Sequence, residues 1–282
     1  MKVAYLLPGF VRHLKNFDVI KQFIKLNSNH TIHFYTNTYN KLGSPNKEPS
    51  NKKGYIDSQI VDEKLLKGYL NFKKINIEDY ETVNNILNKF VSVNIDVIRK
   101  SKEGSNEKFS KKMKSPEDEG TIFGRLYAQW RMVYNCYNLI DEDYDLIIRG
   151  RYDLQINNLN LNDYNIQNNT LYYKTRKAGN GIFKTILYIS YELEIPNDTV
   201  GFGTPDTMKI YCEFGKEKNL LDTVGHKDFI SDDFHNGRGK SVQLSNEACL
   251  SFWCHYLNNL SKSHILSNHL AENSLIQRDK YK

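Results

Sequence analysis

The sequence has only four cysteines among 282 residues, and no two of them are spaced Cys-x-x-Cys. This excludes the close cysteine pairs of a zinc site and argues against the framework of a small disulfide-rich domain. Isolated cysteines in a reducing compartment are commonly small buried apolar side chains. We therefore expect all four to be free and buried: Cys136, Cys212, Cys249 and Cys254.

The sequence also lacks a long hydrophobic run. No stretch approaches the roughly 20 apolar residues that a membrane-spanning helix needs. The apolar part of MKVAYLLPGF is too short for a signal peptide and instead predicts a first strand, Lys2 to Leu7. We expect a soluble cytoplasmic protein with at most peripheral membrane contact.

Several short catalytic motifs are absent: G-x-S-x-G, H-E-x-x-H, the P-loop, and G-x-G-x-x-G in a Rossmann setting. Their absence argues against hydrolases, proteases, kinases and dehydrogenases of those types. The sequence has no long basic helix and no regular basic stripe, so we expect no nucleic-acid partner.

The sequence has enough apolar residues for one large globular domain, since 39% are hydrophobic and 12% are aromatic. The formal net charge is +6, from 39 lysines and arginines against 33 aspartates and glutamates. This surplus mildly favours anionic ligands. Lysines in loops such as the polar segment 99–120 contribute to it; this segment is the best candidate for a lid, but an inert surface loop is the favoured interpretation.

The first 40 residues predict a strand–helix–strand unit. The first strand stops at the turn signal Pro8-Gly9. Helical spacing then follows in Phe17, Ile20, Phe23 and Ile24. Thr31 to Asn37 predicts a second strand, so the two strands form a parallel pair with a right-handed crossover.

The middle of the chain continues the alternation. NFKKINI predicts a strand, and Glu78 to Phe90 a helix with Ile86, Leu87 and Phe90 on its inner side. GTIFGRLYAQWRMVYNCYNLI predicts the strongest amphipathic helix.

The second half predicts shorter elements. TLYYKT, TILYISYEL and Val200 to Gly203 predict strands, and Thr204-Pro205 begins a helix. LSNEACLSFWCHYLNNL predicts the last helix, with Ala248, Cys249, Phe252, Trp253, Tyr256 and Leu257 inside. The chain after Ser261 is polar and is expected to be peripheral.

The segment YDLIIRGRYDLQI, Tyr144 to Ile156, predicts a strand whose carboxyl end is charged. Its alternation places Arg149, Arg151 and Asp153 on one face. Ligands of open α/β sheets bind beyond the carboxyl ends of strands, so these charges indicate a site. The alternative is an edge strand whose charges face water, but the preceding helix favours a central position.

Six segments, in this order, resemble a group of glycosyltransferase-like proteins that use nucleotide sugars and occur in bacterial surface-polysaccharide loci and large DNA viruses. The segments are LLPGFVRHLKNF, HFYTNTY, YAQWRMVYNCYNL, YDLIIRGRYDL, NDTVGFGTPDTMKIY and NEACLSFWCHYL. The central strand of that group reads Arg-x-Arg-x-Asp-Leu. The resemblance implies a location in the cytoplasm of a bacterium or of a virus-infected host.

The resemblance implies a GT-A-like (Rossmann-like) α/β fold with a mixed, largely parallel central sheet flanked by helices. One domain, 1–282, would comprise a nucleotide-binding half, an acceptor-side half and a peripheral tail. Their ranges are 1–154, 155–260 and 261–282.

The resemblance also implies the function: transfer of a sugar from a UDP- or GDP-sugar to a glycan or glycolipid acceptor, in surface-polysaccharide or glycoprotein-glycan synthesis. The diphosphate would be held at the central strand and at the turn after the first strand, and the base or ribose at the end of the second strand. The donor-binding residues would be Arg149, Arg151 and Asp153, then Pro8, Gly9 and Arg12, then Thr36, Asn37 and Tyr39.

A divalent metal is the expected cofactor of such a transferase, because Mn²⁺ or Mg²⁺ bridges carboxylates and the diphosphate. The usual motif is Asp-x-Asp, but here Arg151 stands at the position of the first aspartate. Only Asp153 is left as a metal ligand, and an arginine can itself hold a diphosphate by bidentate hydrogen bonds.

An inverting transferase needs a carboxylate as general base. The resemblance places Asp198 there first, and Glu247 is the second candidate catalytic residue, although an acid early in a helix also stabilises the helix terminus. A non-catalytic relative that binds nucleotide sugar or glycan is the main alternative, because the first metal carboxylate is missing. A nucleotidyltransferase is disfavoured because the sequence lacks its Gly-rich phosphate loop.

Overall fold

The chain alternates strands and helices from its first residues. A computed structural model describes residues 1–11, 17–44, 55–94, 96–97, 116–152, 158–175, 196–230 and 246–266. The strands are β1 (Lys2–Pro8), β2 (Thr31–Tyr39), β3 (Lys41–Ser44), β4 (Tyr55–Ile60), β5 (Phe72–Glu78), β6 (Leu146–Arg149), β7 (Thr170–Thr175), β8 (Pro196–Gly203) and β9 (Ser261–His264). The helices are α1 (Phe17–Leu26), α2 (Glu63–Lys67), α3 (Tyr80–Val93), α4 (Pro116–Tyr137), α5 (Pro205–Glu213), α6 (Glu217–Val224), α7 (Lys227–Ile230) and α8 (Asn246–Ser251), which a π-helical turn continues over Phe252–Leu257.

Seven strands form one sheet in the order β5-β2-β1-β6-β8-β7-β9. All pairs are parallel except those that β8 makes with β6 and β7, so β8 alone of these seven opposes the others. Strands β3 and β4 form a separate antiparallel pair. The expected mixed α/β fold, with a largely parallel central sheet flanked by helices, is confirmed.

Both faces of the sheet are covered, which explains why β1 is apolar and buried at every position after Lys2. Ala4 and Leu6 face a core shared with α4, α5 and α8. Val3, Tyr5 and Leu7 face a second core that includes α1. The four cysteines lie in the first core and are free and buried, as the sequence predicts.

Helix α4 begins earlier than the sequence predicts. Its first residues, Pro116 to Gly120, belong to the polar segment 99–120 that was a candidate lid. Proline is well suited to the first turn of a helix, because the first amide groups have no partner within the helix. The rest of that segment lies outside the described residues, as does the strand predicted at TILYISYEL.

Two helix predictions are wrong in detail. Glu78 ends β5, and α3 begins only after Asp79, whose side chain caps it; the inward positions become Val83, Leu87 and Phe90, while Ile86 is 42% exposed. The final helix continues through the π-helical turn, and this wider turn rotates later side chains relative to an α-helix. Tyr256, expected inside, is 48% exposed.

The chain after Ser261 is not wholly peripheral, since Ser261–His264 forms β9 and pairs parallel with β7 at the sheet edge. Ile265 follows as a buried residue. No helix among the described residues is both long and apolar enough to cross a membrane.

At the amino edge of the sheet, where β1, β2 and β5 begin, Glu142 binds several side chains. It accepts hydrogen bonds from Lys73 and Tyr144, pairs with Lys2 at 3.1 Å and contacts His33 Nδ1 at 2.8 Å. The hydrogen bond from Lys73 is the largest cause that holds the pKa of Glu142 well below its usual range.

We expect Glu142→Gln to lower stability at pH 7 and to lose this effect in acid. A folded-state pKa below the unfolded value of 4.5 means that the carboxylate stabilises the fold above about pH 4.5 and stabilises it progressively less as the pH falls. Thermal unfolding of wild type and variant from pH 7 to pH 3 checks this. Asp143→Asn, which removes an exposed neighbouring charge, is the control. A constant difference across this range would contradict the prediction.

Candidate functional site

The strand order identifies one crevice at the carboxyl edge of the sheet. The strands that follow β1 in the sequence, β2 and β5, extend the sheet on one side of β1. The next strand of this sheet, β6, lies on the other side of β1, so the strand order reverses there. In open α/β sheets, ligands bind outside the carboxyl ends of the strands where the order reverses in this way. Here that point lies beyond Pro8 in β1 and Arg149 in β6.

Arg149 ends a central strand, which rules out the edge-strand interpretation of its charge. Strand β6 lies between β1 and β8, and Arg149 is only 1% exposed. Its guanidinium carbon lies 5.6 Å from the ring centroid of Trp130 on α4. Burial raises the pKa of the nearby Cys136 thiol to about 12, and the charge of Arg149 opposes this shift. A permanent cation is therefore buried at the switch point.

The chain leaves the sheet directly after Arg149, so β6 is much shorter than the predicted strand Tyr144 to Ile156. Gly150 donates to the Leu6 carbonyl at 2.9 Å, and an added Cβ there would collide with the Tyr5 hydroxyl. The Tyr152 hydroxyl hydrogen-bonds to Thr36 on β2. Half-buried Arg151 lies between these anchored positions, and Asp153 lies outside the described residues.

The turn after β1 has space beside its backbone that no described residue fills. Pro8 is buried, and Gly9 has a φ of +103°, which favours glycine. The Gly9 amide donates to the Asn37 carbonyl at 2.9 Å. Within the described part of the chain, no atom outside Gly9 and its two chain neighbours lies within 4 Å of where a Gly9 Cβ would be. Arg12 lies outside that part.

The predicted base or ribose contacts on β2 are buried. The Thr36 hydroxyl donates to the Leu7 carbonyl at 2.8 Å, and Asn37 is inaccessible to solvent. The Tyr39 ring packs against Phe10 with centroids 4.2 Å apart. A base could stack on that face of Tyr39 only after Phe10 had moved.

Three polar residues beside Asn37 were not predicted from the sequence. Glu78 ends β5 and accepts a hydrogen bond from Asn37 Nδ2 at 2.8 Å. On α4, Arg131 and Asn135 donate to the same carboxylate at 2.7 Å and 3.0 Å. Their i, i+4 spacing on the aromatic helix is the signal that could have indicated a shared polar contact.

One candidate catalytic acid lies on the strand next to β6, and the other lies on a helix that packs against that strand. Asp198 is in β8, three residues before Gly201, which pairs with Arg149. Because β8 runs antiparallel to β6, the backbone at Asp198 lies beyond the carboxyl end of β6, about 10 Å from Gly201 at about 3.4 Å per residue. Glu247 is in the first turn of α8, which packs against β8.

The described residues do not form a metal centre. Among them, no three His, Cys, Asp or Glu side chains lie close enough together to hold an ion. Two arginines, Arg149 and Arg151, lie at this end of β6, and the carboxylate of Glu78 is already bound by Arg131. These residues fit a diphosphate better than a cation.

Comparisons with known proteins add a similarity of fold. No family model and no curated protein matches the sequence. The structure is similar to the crystal structure of mouse xyloside xylosyltransferase 1 in its apo form, with a TM-score of 0.41 and 10% sequence identity. The match covers 94% of this chain and 85% of that chain. At this level of similarity, no residue role is transferred to this chain.

Proposed function

We propose that the protein transfers a sugar from a nucleoside diphosphate sugar to a glycan or glycolipid acceptor. The observation that carries the proposal is Arg149, a buried cation at the carboxyl end of a central strand, where the strand order reverses. The six segments that resemble nucleotide-sugar transferases support it from the sequence. A UDP- or GDP-sugar is the proposed donor.

Arg149 and Arg151 would bind the diphosphate by paired hydrogen bonds. Charge on the departing nucleoside diphosphate grows as the sugar bond breaks, so a fixed cation stabilises the transition state more than the bound donor. The open space beside Gly9 would let a phosphate approach the backbone of this turn, and Arg12 would add a charge there.

The base or ribose would lie at the end of β2. Thr36 and Asn37 shape that end, and Tyr39 would contact the donor if Phe10 moved aside. Asp198 is the proposed general base that takes the proton of the acceptor hydroxyl, with Glu247 as the second candidate.

A divalent metal is a separate part of the proposal. Asp153 would be its protein ligand, and Mn²⁺ or Mg²⁺ would supply further charge neutralisation at the diphosphate. No step above depends on the metal, because the guanidinium groups alone can hold the diphosphate.

A transfer assay tests the function directly. The protein is incubated with each UDP- and GDP-sugar and a panel of glycan acceptors, and release of nucleoside diphosphate is measured with and without EDTA. We expect one donor to be consumed with matching formation of glycosylated product, and Asp198→Asn to stop turnover while the donor still binds. Binding without turnover on any acceptor would favour the non-catalytic relative.

A further inference from the structure

Five polar side chains from β2, β5 and α4 form one hydrogen-bonded cluster, which we call the polar brace. Its members are Asn37, Asn76, Glu78, Arg131 and Asn135. Glu78 is at its centre, because its carboxylate accepts from Asn37, Arg131 and Asn135 at 2.7 to 3.0 Å. Asn76 donates to the side-chain oxygen of Asn37.

The centre of the polar brace is largely shielded from solvent, although Asn76 at its margin is exposed, and its hydrogen bonds keep Glu78 charged. The side chains of Glu78 and Arg131 are 12% and 18% exposed. Burial raises the pKa of Glu78, but hydrogen bonds from Asn37, Asn135 and Arg131 outweigh it, so the pKa is lower than usual. Such buried ionic networks add little net stability compared with apolar packing. A fixed geometry is the better explanation for keeping one.

The brace fixes the peptide that holds the turn after β1. The Asn37 side chain is bound at both ends, by Glu78 and by Asn76, and its amide also contacts Met132 Sδ at 2.9 Å. The Asn37 carbonyl accepts the Gly9 amide at 2.9 Å. Glu78 is thus two hydrogen-bonded steps from the backbone that borders the open space of the crevice.

We propose that Glu78 is a positioning residue: through Asn37 it holds the Gly9 turn in the geometry that a bound diphosphate needs. This inference rests on the proposed function only for the identity of the ligand. The coupling between Glu78 and Gly9 stands on the hydrogen bonds alone.

The test compares Glu78→Gln with Glu142→Gln, which makes the same change in a polar cluster at the opposite edge of the sheet. Two quantities are measured for each and for wild type: the affinity for UDP and GDP by calorimetry, and amide hydrogen exchange in the segment containing Gly9. Thermal unfolding shows how much each variant loses in stability.

We expect Glu78→Gln to bind nucleotide at least ten-fold more weakly and to exchange the Gly9 amide faster. Glu142→Gln should keep the affinity within two-fold and the exchange unchanged at a similar loss of stability. If Glu78→Gln folds poorly, Asn135→Ala, which removes one donor to Glu78, should give smaller changes in the same direction.

Failure of the positioning role and failure of the proposed function give different results. Wild-type exchange and affinity in folded Glu78→Gln would overturn the positioning role. If wild type binds no nucleotide, the proposed function is wrong, and the exchange comparison alone then decides whether Glu78 holds the turn.

Discussion

Arg149→Met is expected to bind nucleoside diphosphates at least 100-fold more weakly than wild type. Truncating one partner of a buried, hydrogen-bonded charge pair commonly costs about 2 to 5 kcal/mol, and about 2.7 kcal/mol corresponds to 100-fold. The loss should not fall to the lower end of this range, because Arg149 is 1% exposed and little water can screen the contact.

Calorimetric titration of the variant with the donor that wild type binds measures this effect. Arg149→Lys keeps the charge but not the planar pair of donors, so we expect an intermediate loss of about ten-fold. Lys73→Met, at the amino edge, controls for the loss of one positive charge and should bind normally. Normal binding by folded Arg149→Met would show that this arginine does not hold the diphosphate.

Gly215→Ala is expected to destabilise the protein by about 3 kcal/mol, which lowers the melting temperature by roughly 5 to 10 °C. Gly215 follows α5 and lies against the backbone of α4. An added Cβ would collide with the Trp130 carbonyl and lie 2.8 Å from the Tyr134 Cβ. A backbone obstacle cannot rotate away, so the two helices would have to separate.

Gly124→Ala is the matched control, since it adds the same methyl group to a glycine within α4. Among the described residues, the Cβ there would meet only the Val91 Cγ2, at 3.1 Å, and alanine is favoured over glycine in a helix by about 1 kcal/mol. Thermal unfolding should show little change or a small gain. Equal stability of Gly215→Ala and wild type would mean that α4 and α5 do not pack this closely.

Much of the fold could be predicted from the sequence because its elements carry strong local signals. The apolar run at Lys2–Leu7 indicates a strand buried on both faces, and the spacing of Phe123, Trp130 and Val133 indicates the packed face of α4. Thr204-Pro205 marks the start of α5. These patterns depend only on residues close together in the sequence, so a single sequence is enough to recognise them.

The end of β6 could not be predicted in the same way. The alternation continues through Arg151 and Tyr152, but the hydrogen bond from Gly150 to Leu6 is the last along β1, and the chain then turns away. Strand length here is decided by the neighbouring strand, a tertiary property. The π-helical turn after α8 likewise changes which side chains face inward, and it contains no proline or glycine from which the change could be predicted.

The polar brace could not be predicted, because its members are far apart in the sequence. Glu78 meets Arg131 and Asn135, which are 53 and 57 residues further on. Arg149 could be identified from the sequence as a candidate site residue, since a charge at the end of an apolar strand is unusual. That its cation lies over Trp130 depends on how α4 crosses the sheet.

The most direct test of the central claim, that the carboxyl edge binds a nucleotide sugar, is a thermal-shift screen of the wild-type protein. UDP, GDP, CMP and TDP and their common sugars are each tested with Mn²⁺, with Mg²⁺ and with EDTA. A ligand at 100 times its Kd adds about 2.7 kcal/mol to stability, enough for a clear rise in melting temperature. We predict stabilisation by a UDP- or GDP-sugar, and its loss in EDTA would support Asp153 as a metal ligand. No shift with any nucleotide at millimolar concentration would contradict the claim.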